Sequence, residues 1–252
     1  FFLWTDTSVS LLPYGYGFEV DPREQSTLTI EHAHASKIGD FFGFVDLTQF
    51  HGAPDAKDSD TWYGEIGPRL SFGKLSGKAI SFHLFSKSAF EVKDVLLAMQ
   101  YERGSDPDVA EAGLIGIGFD LDLRENGFLG ALGKFNYVQL NFYGRAEMTE
   151  GTRDGFRDMQ ITMVASRSFK VGNSDWLVDG YFDWVLGIGS EEWSYHLNPQ
   201  VTMDLGSLLW GEPRKLYGGV EIDLWWNKYQ IPNSAGFDTD QAAVSLLLKY
   251  HF

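Results

Sequence analysis

The stretch between Asp40 and Phe72 constrains the fold more than any other part of the chain. It reads DFFGFVDLTQF, a polar acidic connection HGAPDAKDSDT, then WYGEIGPRLSF. In the first run Phe41, Gly43, Val45 and Leu47 share one face, and Phe42, Phe44, Asp46 and Thr48 share the other. In the second, Trp62, Gly64, Ile66, Pro68, Leu70 and Phe72 alternate with Tyr63, Glu65, Gly67, Arg69 and Ser71. A period of two over about ten residues is strand periodicity, because successive side chains point to opposite faces of a sheet. The second face is neither a core nor an ordinary wet surface, since its rings are interleaved with Asp46, Glu65 and Arg69. A strand with one apolar face and one polar-aromatic face needs an oily exterior and a wet interior. The wall of a membrane barrel is built that way.

The same alternation marks about twelve strands, near 4–14, 25–35, 40–50, 62–72, 90–102, 113–123, 135–147, 157–169, 175–187, 194–205, 215–227 and 241–252. The expected fold is all-β: one closed antiparallel transmembrane β-barrel of about 12 strands, with residues 1–252 as a single domain. Short helical turns are expected near 75–78 and 130–134. The outer face reads as a lipid band through Ile115, Ile117, Phe119 and Leu121, then Val138, Leu140 and Phe142, then Val220, Ile222 and Leu224. Trp176, Trp184, Trp226 and Tyr250 fall near strand ends on those faces, where amphipathic rings prefer the headgroup level. The final strand ends on Phe252, like the carboxy-terminal signal read by barrel-assembly machinery. Pro68 and Pro199 cannot donate into a ladder, and a closed barrel has no edge to hold them, so a bulge is expected at each. Connections 36–39 and 171–174 are tight, whereas 73–88 and 124–134 are long for periplasmic turns.

Composition narrows the classes. No apolar run reaches the length of a membrane helix, and residues 1–4 lack the basic start and cleavage site of a signal peptide. An exported chain is therefore expected here in its mature form. The net charge of −15 argues against nucleic acid, which needs clustered Lys and Arg. With no Cys there is no disulfide, thiolate metal site or cysteine nucleophile. His32 and His34 alternate on the apolar face, a poor metal pair with no third ligand beside them. His196 with Ser194 and Asn198 suggests an embedded hydrolase, but no Ser stands beside a base at a matched position. The Gly-x-Gly patterns at 15–17, 116–118 and 187–189 precede no helix, so they are barrel glycines. No catalytic residue, metal or cofactor is expected.

If the apolar sets face out, the lumen collects rings and carboxylates. Phe42, Phe44, Tyr143, Tyr181 and Trp225 would stack on flat heterocycles, an interaction worth about 1–3 kcal/mol per base elsewhere. Asp46, Glu65, Asp183, Glu221 and Asp223 would bind hydroxyls and amines, with Arg69 setting the geometry of the acids and Arg145 as the other main internal cation. Such an interior repels anions and suits neutral solutes, and conduction needs binding that is weak and repeated.

Several of these segments resemble a known family. They are Phe41-Phe42-Gly43-Phe44-Val45-Asp46, then Glu65-Ile66-Gly67-Pro68-Arg69-Leu70-Ser71 with Lys74-Leu75-Ser76-Gly77. Further similarity lies at Gly116-Ile117-Gly118-Phe119-Asp120, at Asp179-Gly180-Tyr181-Phe182-Asp183-Trp184, and at the Lys249-Tyr250-His251-Phe252 ending. Together they resemble the nucleoside-specific outer-membrane channels of the Tsx type. The resemblance implies a monomeric twelve-stranded barrel in the outer membrane of a Gram-negative bacterium, in contact with its lipid, with a narrow nucleoside-binding channel. Related barrels serve as phage receptors. The expected function is passive, selective diffusion of nucleosides or similar neutral molecules. Two alternatives stand beside it: a surface receptor that transports nothing, and a soluble ligand-binding barrel, for which the chain leaves nothing to cover the apolar faces.

Overall fold

The computed structural model describes residues 1–52, 59–83, 90–105, 111–123, 133–148, 155–188 and 192–252. Strands β1 (Phe2–Tyr16), β2 (Glu24–Ser36), β3 (Gly39–His51) and β4 (Asp60–Ser71) form the first meander. A short helix α1 (Phe72–Ser76) and a two-residue strand β5 (Phe82–His83) lead into β6 (Phe90–Gly104), β7 (Ala112–Leu123), β8 (Tyr137–Glu147) and β9 (Gly155–Val171). Then follow β10 (Ser174–Val185), β11 (Ser194–Asp204), helix α2 (Leu205–Trp210), β12 (Leu216–Trp226) and β13 (Gln241–His251). Every pairing is antiparallel; β1 pairs with β13 and β4 with β6, so the twelve long strands close on themselves and β5 hangs on β6. Closure leaves no unpaired edge in the wall, a condition for spanning a bilayer with strands. No helix among the described residues is long and apolar enough to cross a membrane.

The wall is inside out relative to a globule. Along β13, Gln241, Ala243, Ser245, Leu247 and Lys249 are buried while Ala242, Val244, Leu246, Leu248 and Tyr250 are exposed. Buried polar or charged side chains outnumber buried apolar ones, 21 to 12, among the described residues. Ile115, Ile117, Phe142 and Trp226 are exposed on the outer face. Leu140, Ile222 and Leu224 are half-exposed there, and Val138 is covered.

Three local expectations are corrected. Neither Pro68 nor Pro199 sits in a bulge, because the pairings Phe41 with Pro68 and Gly180 with Pro199 keep regular register. Gly180 permits the second approach: at φ 153°, a Cβ there would lie 2.8 Å from Pro199 Cα. The register shifts fall elsewhere, at Phe2/Trp4, at Leu12/Gly15 around Pro13, at Val92/Asp94 and at Arg145/Ala146. The first helical turn lies at Phe72–Ser76, ahead of 75–78, because the Ser71 side chain accepts from Lys74 N and Gly77 stops it in the left-handed region. The expected turn near 130–134 falls mostly outside the described residues. Helix α2, which alternation does not announce, is capped the same way by Asp204 and Gly211.

Candidate functional site: the lumen

Alternation brings one side chain in two from each strand into the lumen, and these join into a polar band. Glu65 stands opposite Glu102 in register. Glu65 accepts from Tyr63 Oη at 2.7 Å and from Gln100 Nε2 at 2.8 Å, while Gln100 also donates to Glu102 at 3.0 Å. Arg145 Nη1 reaches Glu102 at 2.7 Å and donates to Gln160 Oε1 at 2.9 Å. Gln160 donates to Thr162 at 3.1 Å, and Thr162 donates to Asp183. The band therefore runs from β4 to β10. Two opposed carboxylates are tolerable there because Gln100 bridges them and Arg145 neutralises one.

The remaining wall continues the pattern. Tyr181 Oη meets His196 Nδ1 at 3.3 Å, and His196 Nε2 meets Asp223 at 2.9 Å. The His196 ring stacks on Trp225 at 3.7 Å, and Tyr181 meets it edge-on at 5.0 Å. Gln200 donates to Glu221 at 2.8 Å. Lys249 pairs with Glu31 at 2.5 Å, which also accepts from Ser8 at 2.8 Å. Asp46 accepts from Thr29 at 2.5 Å and feels the charges of Glu221, Glu31 and Asp223.

Rings line two sides. Phe44 lies 6.0 Å from both Phe42 and Tyr63, making one strip on β3 and β4. Tyr181, His196, Trp225 and Tyr229 make the other, on β10, β11, β12 and the segment beyond. From β3 to β11 is five steps round a twelve-strand wall, so the strips stand nearly opposite each other. At the mouth carrying the chain ends, a cleft of about 320 Å³ lies between Lys93, Asp120, Asp122, Tyr137 and Gln139. At the opposite mouth the connection 227–240 is tied down. Lys228, 3 % exposed, donates to Asp21 at 2.6 Å and Gln241 at 2.7 Å, while Gln230 donates to Asp158 at 3.0 Å and Glu192 O at 2.8 Å.

All eleven residues picked out from sequence sit on the lumen side of their strands, but they are not one cluster. Arg69 does not organise Asp46 or Glu65. Its guanidinium forks onto Asp40, two contacts at 2.8 Å, and reaches Asp120 at 2.9 Å. Arg145 pairs instead with Glu102, which Gln100 bridges to Glu65. Tyr143 is buried with Ala98, Ala112 and Leu114, so its ring is packed into the wall. Lys249 and Lys228 join Arg69 and Arg145 as interior cations. Period two already places Lys249 inward with Ser245 and Leu247, whereas Lys228 lies on a connection that carries no such signal. Glu102 and His196 also join the lumen networks. Ser194 donates to Trp226 O at 3.3 Å, so it is not paired with His196. His32 and His34 share a 3.2 Å contact on the outer face, where His34 stacks on Phe41 at 5.2 Å.

A polar, ring-lined lumen inside a closed strand wall has a counterpart among known proteins. The family model described as nucleoside-specific channel-forming protein, Tsx, matches residues 13–252. No curated protein matches the chain. With the matched span covering every wall strand except the start of β1, the chain belongs to the family of nucleoside-specific channel-forming proteins.

Proposed function

We propose that the lumen passes nucleosides across the outer membrane of a Gram-negative bacterium by letting each base slip between the two aromatic strips. The observation that carries this reading is their opposition: Phe42, Phe44 and Tyr63 on one side, Tyr181, His196 and Trp225 on the other. Stacking is sequence-tolerant because every base has a π-face. Asp46, Glu65, Asp183, Glu221 and Asp223 then exchange hydrogen bonds with ribose hydroxyls and exocyclic amines. Arg69 holds Asp40 and Asp120 near the mouth of the chain ends, and Tyr143 stiffens the wall behind the path. Excess carboxylate disfavours a phosphate-bearing solute. No chemical step is involved, and one copy of the barrel makes the whole path.

Liposome swelling compares nucleosides with sugars of equal size. Nucleosides enter faster under this reading, and equal rates defeat it. Phe44→Ala with Tyr181→Ala weakens saturation at low nucleoside concentration. A second reading, a receptor barrel for a phage or other ligand without transport, is favoured by the inward fold of 227–240 over one mouth. Swelling that no solute supports, together with ligand capture by the outer connections, would select it.

A further inference from the structure

We propose that helix α2 is a membrane-surface anchor that holds anionic phospholipid at the mouth carrying the chain ends. The helix stands outside the wall. A Cβ built on Gly218 of β12 would come 2.5 Å from Leu205 Cδ1 and 3.5 Å from Leu248 Cδ2. Leu248 belongs to the exposed row of β13, so Leu205 continues the lipid-facing band. Beyond that contact Leu208, Leu209 and Trp210 are 64 %, 62 % and 52 % exposed. Exposed Arg214 follows, and Lys215 is fixed by a 3.2 Å bond to His251 O.

Apolar side chains flanked by cations belong at the boundary of headgroups and acyl chains, with Trp at the headgroup level. Helix α1 repeats the chemistry with exposed Phe72 and Leu75 beside Lys74 and Lys78. It follows β4, five steps round the wall from β12, so the two helices stand nearly opposite each other at one mouth. In the described connections there, Lys37, Lys74, Lys78, Lys134, Arg214 and Lys215 face one carboxylate, Glu212. Those at the other mouth reverse the sign: Glu19, Asp21, Glu111, Glu192, Asp238 and Asp240 against Arg23 and Lys228. Charge complementarity and continuity with the lipid band therefore select an anionic leaflet at the first mouth.

The test uses the full chain in vesicles and reads Trp210 as the difference between wild type and Trp210→Phe, since the chain has 8 Trp. Brominated phosphatidylglycerol should quench that signal at an about fivefold lower mole fraction than brominated phosphatidylcholine. Arg214→Gln with Lys215→Gln should reduce the preference to below about twofold. Should that variant fail to fold, wild type serves: its preference must shrink between about 50 and 500 mM salt. Equal quenching by the two lipids, or a preference indifferent to salt, overturns the proposal. So does a Leu208→Ser, Leu209→Ser variant that turns a dimer into a monomer, which would give the patch to a second copy. The inference rests on the membrane placement, not on nucleoside passage. Loss of nucleoside selectivity in wild type would defeat the proposed function and leave this result standing.

Discussion

Placing Arg at Leu246 tests whether the exposed row of β13 faces lipid, at the point where the cost would be largest. Strand β13 has eleven residues, Gln241–His251. At about 3.3 Å per residue and a tilt near 45°, it rises about 26 Å, close to the apolar band of about 25 Å in such barrels. Leu246 is its sixth residue, 56 % exposed, and faces out beside Val220 of β12. A guanidinium at the bilayer centre costs about 2–4 kcal/mol, and about 0–1 near the interface. Ala242 lies on the same row four residues away, about 9 Å nearer one surface by the same geometry. Leu246→Arg should therefore destabilise by about 2–3 kcal/mol more than Ala242→Arg. Urea unfolding in short-chain phosphatidylcholine vesicles, followed by Trp fluorescence, reads both. If water covered this face, each change would stay within about 0.5 kcal/mol. Two equal, small effects would refute lipid contact along the row.

Three further outcomes follow from the lumen and the wall. Arg145→Met leaves Glu102 without its 2.7 Å partner and should cost up to about 3–5 kcal/mol, with Glu102→Gln in the same chain restoring part of it; strictly additive losses in urea unfolding would deny the coupling. Lys249→Gln unmasks Glu31, so the reversal potential in a salt gradient should shift toward greater cation selectivity; an unchanged potential places Lys249 off the ion path. Gly180→Ala should destabilise by more than about 1 kcal/mol, because its φ of 153° and the Pro199 backbone leave no room; unfolding at the wild-type urea concentration would show that the wall yields there.

Strand positions are legible in this sequence because the alternation is sharp and one face is mostly apolar; each long strand ends within two residues of the place read from its pattern. What alternation cannot supply is who meets whom across strands. Arg69 finds Asp120 on β7 by reaching past β6, where its register partner is the small Ala98. His196 meets Trp225 only once β11 and β12 pair in register. Prolines mislead in both directions. Pro68 and Pro199 are absorbed without a bulge, while Pro13, inside the β1 pattern, sits where the register does shift. The capping signal of α2, Asp204 followed by Gly211 and Pro213, is present in the sequence, but it is six residues long and easily lost between two strong strands.

Single-channel recording in a planar bilayer measures most directly whether the ring-lined lumen is a nucleoside path. The account predicts steady cation-selective steps that adenosine or uridine partly blocks in a saturable way from either side, while ribose of the same concentration leaves them unchanged. A conductance equally indifferent to nucleoside and sugar, or no conductance at all, would contradict it.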